Sequence, residues 1–467
     1  MAPLNYLVVA FPGQGLINPA LQFAKRLLNA GARVTFATAS LAYRRMAKSD
    51  PPEGLSFASF SDGSEEGLRP GIDFEQYMAD VERLGSETLR DLVVTSLSDG
   101  RKFACIFYTT VIPWVAQVAH SLQIPSTLIW AQPAALLDIY YYYFNGYGDI
   151  IRNLGKDDPS ASLHLPGLPR LTCRDVPSFL TPENQYAFTL PLMQVQFEVF
   201  KEEKNPRVLA NTFDALEPEA LKAIGNITMF GIGPLIPSAF LDGQDPLDKS
   251  FGGDLFQGSK DYVRWLDTKP KGSVTYISFG SISVLSKEQK EEMARGLLGT
   301  GRPFLWVIRK DKEQEGEGDE EQLSCMEELE QKGMIVPWCS QVEVLSHASA
   351  GCFVTHSGWN STFESLACGV PMVAFPQWGD QQTNAMLVEN EWKVGVRVNT
   401  NERGIVEGDE IKKCLELVMG DGEKGEEIRR NARKWKGLAR AAAKEGGSSD
   451  RNLKAFLEEI QMEADGH

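Results

Sequence analysis

Short apolar runs alternate with amphipathic stretches along most of this chain. Residues 5–10, 33–38, 103–108, 124–130, 207–213 and 229–234 are rich in β-branched or aromatic side chains, and 7–10 read Leu-Val-Val-Ala with no polar position. Runs of this kind fit strands buried on both faces, as in a parallel sheet. A turn at 11–19 and a helix at 20–28, ending near Gly31, separate the first two runs. This βαβ opening predicts an α/β fold with a doubly wound parallel sheet. A helix running through His120 follows the strand at 103–108. The run Ile-Tyr-Tyr-Tyr-Tyr-Phe at 139–144 reads as a core helix packed on the sheet, with a contribution to an aromatic pocket as the alternative. Segment 155–200 is proline-rich and irregular.

The alternation then restarts. Residues 236–258 are rich in Gly, Pro, Asp and Ser and make the best linker in the chain. A helix at 261–267 and strands at 273–279, 304–308, 351–355 and 393–398 follow, with helices from about 409 and from 426 to the end. The predicted organisation is a first domain at 1–235, a linker at 236–258, a second domain at 259–445 and a terminal helix at 446–467. The acidic stretch 310–322 reads as a solvated loop.

Length and charge narrow the field. A chain of 467 residues is expected to form two domains. A formal net charge of −16 disfavours nucleic acid and anionic membrane surfaces as partners. Seven cysteines without a CxxC pair fit reduced thiols and a cytoplasmic protein. The N-terminus lacks a basic region before its short apolar run, so it reads as a strand, and no apolar run is long enough to span a membrane. The Asn226 and Asn360 glycosylation patterns carry no weight without secretion. Gly13-Gln-Gly15 lacks the third glycine of a dinucleotide site, and no DxD-like acidic pair points to a metal.

The densest chemistry lies in 338–381, WCSQVEVLSHASAGCFVTHSGWNSTFESLACGVPMVAFPQWGDQ. Gly351-Cys-Phe-Val-Thr355 reads as a strand, the residues from His356 to Thr362 as a turn, and 363–368 as a helix. A strand passing through a glycine-containing turn into a helix aims free backbone N–H groups and partial positive charge at one point. Phosphate is the usual guest there. His356, Asn360 and Ser361 add side-chain donors. A second strand-to-helix turn at 375–381 offers a carboxylate and an amide for sugar hydroxyls. Trp338 offers a flat face, and stacking a base on it is worth roughly 1–3 kcal/mol. Base, diphosphate and sugar together make a nucleotide sugar.

These 44 residues (381 − 338 + 1) resemble the signature of plant family 1 UDP-glycosyltransferases. The resemblance implies that Trp338 stacks on uracil, with Cys339 and Gln341 near the base. It implies that His356, Asn360 and Ser361, with Gly358 in the same turn, hold the diphosphate, and that Ser281 donates to the β-phosphate. Glu364 would bind the ribose hydroxyls, and Trp359, Asp380 and Gln381 would face the sugar. Gln at the last position resembles glucose users. The implied fold is of GT-B type, two facing Rossmann-like domains with parallel sheets and the terminal helix packing back on the first. The small-molecule acceptor would sit in the first domain, in a pocket including Gln14, Gly15 and Trp378. UDP-glucose would be a donor substrate, with no cofactor, and the protein a monomer.

The family inverts the anomeric carbon with a histidine base in a Gln-Gly-His-Ile-Asn-Pro turn, oriented by an aspartate after a later strand. Here the turn reads Gln14-Gly15-Leu16-Ile17-Asn18-Pro19, and aligning on Pro113-Trp114 puts Thr109 at the aspartate position. Neither residue accepts a proton. Histidine occurs only at 120, 164, 347, 356 and 467, and only His164, in a loop, stands as a replacement. Three readings stay open. One is a glucosyltransferase for acceptors that arrive anionic, carboxylates giving glucose esters or acidic phenols, in keeping with a general likeness to the subgroup of glucose-ester formers and anthocyanin 5-O-glucosyltransferases. Another is a base-less, engineered His-to-Leu variant of an ordinary enzyme. The last is a non-catalytic UDP-sugar binder.

Overall fold

The computed structural model describes residues 3–46, 51–64, 73–181, 188–241, 243, 245, 247–250, 261–309 and 323–465. The acidic stretch 310–322 and, within the expected linker, 242, 244, 246 and 251–258 lie outside them. The chain divides into two compact units. One comprises Met1–Cys173, Phe179–Leu255 and Ala441–His467; the other comprises Arg174–Ser178 and Phe256–Arg440.

In the first unit, β1 (Asn5–Val9), β2 (Arg33–Ala39), β3 (Leu55–Phe60), β4 (Phe103–Thr109) and β5 (Ser126–Trp130) are followed by a short antiparallel pair, β6 (Ser162–Leu163) and β7 (Leu171–Thr172), then β8 (Arg207–Ala210) and β9 (Thr228–Gly231). The main sheet runs β3-β2-β1-β4-β5-β8-β9, and its paired strands are all parallel. Strand order reverses between β1 and β4, and open sheets of this type bind ligands beyond the carboxyl ends of the strands at such a point.

The second unit repeats the plan with β10 (Val274–Ser278), β11 (Phe304–Val307), β12 (Met334–Val336), β13 (Ala350–Thr355), β14 (Met372–Ala374) and β15 (Gly395–Arg397), in the order β12-β11-β10-β13-β14-β15, again parallel. Its reversal lies between β10 and β13. Ile277, Val354 and Val373 from the strands, with Phe375 just past β14, meet Met293, Leu297, Ile411 and Leu415 from covering helices in one core.

Several local expectations are corrected. The first helix spans Gln14–Asn29, starting well before residue 20. Pro19 lies inside it and forgoes only the single N–H that would reach residue 15. Ile17, Ala20, Leu21, Ala24 and Leu27 form a buried stripe at helical spacing that carries the helix across the proline. Leu16 therefore stands in a first helical turn. The helix after β13 is Trp359–Cys368, so Asn360 and Ser361 belong to its first turn as well. Strand β3, the edge strand β12 and the long helix Phe74–Ser98 went unread in the sequence. That helix is capped by Asp73, whose carboxylate accepts from the Glu75 and Gln76 N–H groups at 3.0 and 3.2 Å. The aromatic run belongs to the buried helix Ala134–Tyr142 and the turn after it. Within 155–200, Thr189–Glu202 is helical.

The terminal helix Ser448–Asp465 packs on the first sheet. Leu453, Phe456 and Ile460 are buried there, with the Phe456 ring 6.0 Å from Phe107 and 5.6 Å from Phe230. Arg207 lies over the same ring and pairs with Glu463 at 2.8 Å. Phe456→Ala should lower unfolding stability by about 3–5 kcal/mol, whereas Met462→Ala, on an exposed position of the same helix, should stay within about 0.5 kcal/mol. Urea unfolding of the two variants checks this.

Candidate functional site

The carboxyl ends of β10 and β13 meet at the reversal of the second sheet, and most residues singled out between 338 and 381 gather around them. β10 runs into Phe279-Gly280-Ser281, and β13 into His356-Ser357-Gly358 before the helix Trp359–Cys368. Two glycines make room for the His356 ring. A Cβ on Gly280 would stand 2.7 Å from the imidazole Cε1 and Nε2, and one on Gly358 would stand 2.5 Å from Nε2. No side chain fits at such separations. Gly280 also sits at φ +74°, and Ser357, between the histidine and the second glycine, at φ +63°. Ser357 is held there by three bonds, one of them from its own hydroxyl to the Thr355 carbonyl at 3.4 Å. Its N–H donates to Thr355 Oγ1 at 3.2 Å, and its carbonyl accepts from Asn384 Nδ2 at 2.8 Å.

Burial, and then the nearby Arg309 guanidinium, lower the His356 pKa to about 4, with a backbone contact to Ser278 pulling the other way. The ring is neutral at pH 7, so it offers a hydrogen bond rather than a charge. Its Nδ1 is buried with no partner. Helix Trp359–Cys368 begins at Gly358 without a side-chain cap, and the partial positive charge of a helix start favours an anion. Arg309 donates to the carbonyls of Gly280 (2.5 Å) and Ser281, tying the loop after β10. Ser281 itself is exposed.

Deeper in the crevice, Gln341 joins two residues of the next helix. Its Nε2 donates to Ser361 Oγ at 2.9 Å and to Glu364 Oε2 at 2.8 Å. Burial raises the Glu364 carboxyl to about 7, opposed only by that Gln341 bond. The Tyr276 hydroxyl lies 3.5 Å from both Gln341 Oε1 and Cys339 Sγ. Burial pushes the Cys339 thiol up to about 12, so it stays a neutral thiol. Trp338 is half-buried beside it.

The turn after β14 completes the set. Gln381 Oε1 accepts from the N–H groups of Gln377 (2.7 Å) and Trp378 (3.1 Å), folding the turn over its own side chain. The carboxamide oxygen is thus engaged and the Nε2 end is left as a donor. Trp378 Nε1 donates to Ser283 Oγ at 3.2 Å, and Asn384 Nδ2 to Asp380 Oδ2 at 2.9 Å. Trp359 needs a correction. Its ring is only 3% exposed, stacked on Phe363 at 5.0 Å and leaning on Trp392 at 6.0 Å. The indole is core, and only its backbone stands at the helix start.

At the reversal of the first sheet, Thr109 is fully buried and its Oγ1 accepts the Phe11 N–H at 3.0 Å. It therefore holds the turn after β1. Leu16 is half-buried, as is Gln14, and Gly15 is exposed. Beyond Thr109, the Thr110 hydroxyl is buried without a partner and Val111 sits at φ +71°. That backbone is an outlier for a β-branched residue. Sequence reading missed it, as it missed Arg309 and Ser283. His120 is exposed in the last turn of helix Trp114–Ser121, His164 is exposed, and His347 bonds Ser349 and Asp267 in the second unit. Among the described residues no cluster of His, Cys, Asp and Glu could hold a metal ion, and no helix is long and apolar enough to cross a membrane.

Comparison with known proteins agrees on one family. Residues 258–433 match the family model described as UDP-glucoronosyl and UDP-glucosyl transferase. The chain is 58% identical over 475 residues to phloretin 4'-O-glucosyltransferase of Malus domestica, covering 99% of each chain. It is 58% identical over 460 residues to the chloroplastic crocetin glucosyltransferase of Gardenia jasminoides, covering 97% of each. Os79 from O. sativa, solved in complex with UDP, superposes with a TM-score of 0.83 at 32% identity, over 97% of this chain and 100% of that one.

The buried imidazole gives a pH test. A folded pKa of about 4, below the ordinary histidine value of 6.5, means the unfolded chain binds more protons between those values. Stability from this group is complete above about pH 6.5 and is lost as pH falls toward 4. His356→Gln should flatten that part of the pH–stability curve, measured by urea unfolding at a series of pH values.

Proposed function

Since the chain belongs to the plant family 1 UDP-glycosyltransferases, which transfer hexosyl groups, we propose that it moves glucose from UDP-glucose, with inversion, to a small plant metabolite that arrives as an anion, a carboxylic acid or an acidic phenol. The observation that carries the anionic acceptor is the pair at the reversal of the first sheet. Leu16 is aliphatic, and the Thr109 hydroxyl is engaged by the Phe11 N–H. Neither takes a proton.

In this reading Trp338 stacks on uracil and Glu364 accepts from the ribose hydroxyls. Neutral His356, Asn360, Ser361, Ser281 and the uncapped start of helix Trp359–Cys368 hold the diphosphate. Asp380 accepts from glucose hydroxyls while Gln381 donates through Nε2. The acceptor oxygen attacks the anomeric carbon, the bond from that carbon to the β-phosphate oxygen breaks, and the electron pair leaves with UDP. A carboxylate brings the attacking pair already free of its proton. With a pKa near 4.3 it is more than about 99% ionised at pH 7, against about 0.1% for a phenol of pKa near 10. A general base contributes roughly 100- to 10,000-fold, and that factor falls on the phenol alone. Unpaired thiols at all seven cysteines suit a cytoplasmic setting.

Turnover of matched carboxylic and phenolic acceptors by this chain and by Leu16→His tests the proposal. Carboxylate turnover should change less than about threefold, and phenol turnover should rise by about 10-fold or more. Rescue from near zero with both acceptors would instead mark a disabled ordinary enzyme. No turnover by either protein, with UDP-glucose still bound, would mark a binder.

Glu364 adds a second test. To accept two ribose hydroxyls it must be ionised, while in the free protein its carboxyl titrates at about 7. Binding then releases a proton, so UDP-glucose affinity should rise from about pH 6 to about pH 8, by up to roughly tenfold per pH unit at the acid end. Calorimetry on Glu364→Gln should give weaker, pH-independent binding.

A further inference from the structure

Five residues from the middle of the chain, Arg174–Ser178, group with the second unit although Cys173 and Phe179 on either side belong to the first. Their attachment is dense and specific. Asp175 pairs with Arg397 at 3.1 Å, both side chains nearly buried. The Asp175 carbonyl accepts from Thr383 Oγ1 at 2.7 Å, and the Arg174 carbonyl from Arg397 Nη2 at 2.6 Å. Ser178 and Gly379 then bond in both directions. The Gly379 N–H donates to Ser178 Oγ at 2.7 Å, and the Ser178 N–H to the Gly379 carbonyl at 3.0 Å.

These bonds bracket one feature. Gly379, at φ +72°, is the apex of the turn that presents Asp380 and Gln381, and Thr383 lies two residues beyond it. Other supports of the turn include the Gln381 carboxamide oxygen and the Trp378 indole on Ser283. Removing the Ser178 hydroxyl leaves both in place but takes away the acceptor for the apex N–H. The bonds that Arg174–Ser178 makes to the second unit run to Gly379, Thr383, Arg397 and Asn399.

We propose that Arg174–Ser178 is a strap that sets the hexose end of the donor site, with Ser178 as a positioning residue for the Trp378–Gln381 turn. The inference rests on reading that turn as the glucose-binding part of a UDP-glucose site. It makes Ser178 matter for the sugar and not for the nucleotide, a separation that general loss of structure would not produce. Asp175 is a poor first probe, because leaving Arg397 buried without its partner endangers folding. Ser178 is half-buried and its side chain is small.

Calorimetric titration of the full chain with UDP and with UDP-glucose tests this on the unaltered protein, Ser178→Ala and Ser178→Thr. UDP affinity should agree within about twofold among all three. UDP-glucose affinity should fall roughly three- to tenfold in Ser178→Ala, the size of one net hydrogen bond, and return in Ser178→Thr, which keeps the hydroxyl. Equal weakening of UDP and UDP-glucose, or no change for UDP-glucose, overturns the strap while leaving the donor-site reading intact. An unaltered protein that binds neither ligand overturns both.

Discussion

The second unit depends on one close approach, that of the His356 ring to the backbones of Gly280 and Gly358. Two neighbouring parallel strands end side by side, and their following loops come near enough that an imidazole fills the gap only if neither loop carries a Cβ. Everything around it serves that fit. Ser357 takes a left-handed backbone and is pinned by Thr355 and Asn384, Arg309 gathers the carbonyls of the β10 loop, and the following helix starts without a capping side chain. A neutral ring and a helix start without a side-chain cap are the features on which the proposed diphosphate site rests, inside a chain whose net charge is −16. Short-range donors outweigh the distant charges, which solvent and salt screen.

Of the four described non-glycine residues with left-handed backbone, Gln123 and Lys393 lie elsewhere and two follow strands at the sheet reversals. Val111 follows β4 in the first unit and Ser357 follows β13 in the second, each left-handed without being glycine. Such conformations cost about 1–3 kcal/mol apiece and persist where surrounding contacts over-determine them. For Ser357 those contacts are visible. At Val111 the neighbouring Thr110 hydroxyl is buried and unpartnered, so the strain there lies next to an unsatisfied group.

How far the sequence disclosed this varies with the physics. Strands β1, β4, β10 and β13 are readable because they are short, mostly apolar or β-branched runs, and the turn after β13 because glycine, histidine and a helix start stand at close spacing. The start of the first helix was hidden by Pro19, a residue that usually marks a boundary but is tolerated early in a helix at the loss of one bond. Strand β3 alternates partly exposed positions, LSFASF, and gave too weak a run. Trp359 was misjudged because sequence spacing places a residue in a turn without saying which way its ring points. The role of Arg174–Ser178 left no trace at all, since its partners lie about 200 residues further on in the chain.

That excursion, together with the return of the terminal helix, bears on modularity. The chain passes between its two units at 173/174, 178/179, 255/256 and 440/441. A cut within the Gly- and Pro-rich connector would therefore not yield two self-sufficient halves. The leading piece would expose the sheet surface that Leu453, Phe456 and Ile460 cover, and the trailing piece would keep Arg397 without its carboxylate. Any exchange of halves between relatives must therefore carry Arg174–Ser178 along with the second unit and the terminal helix along with the first.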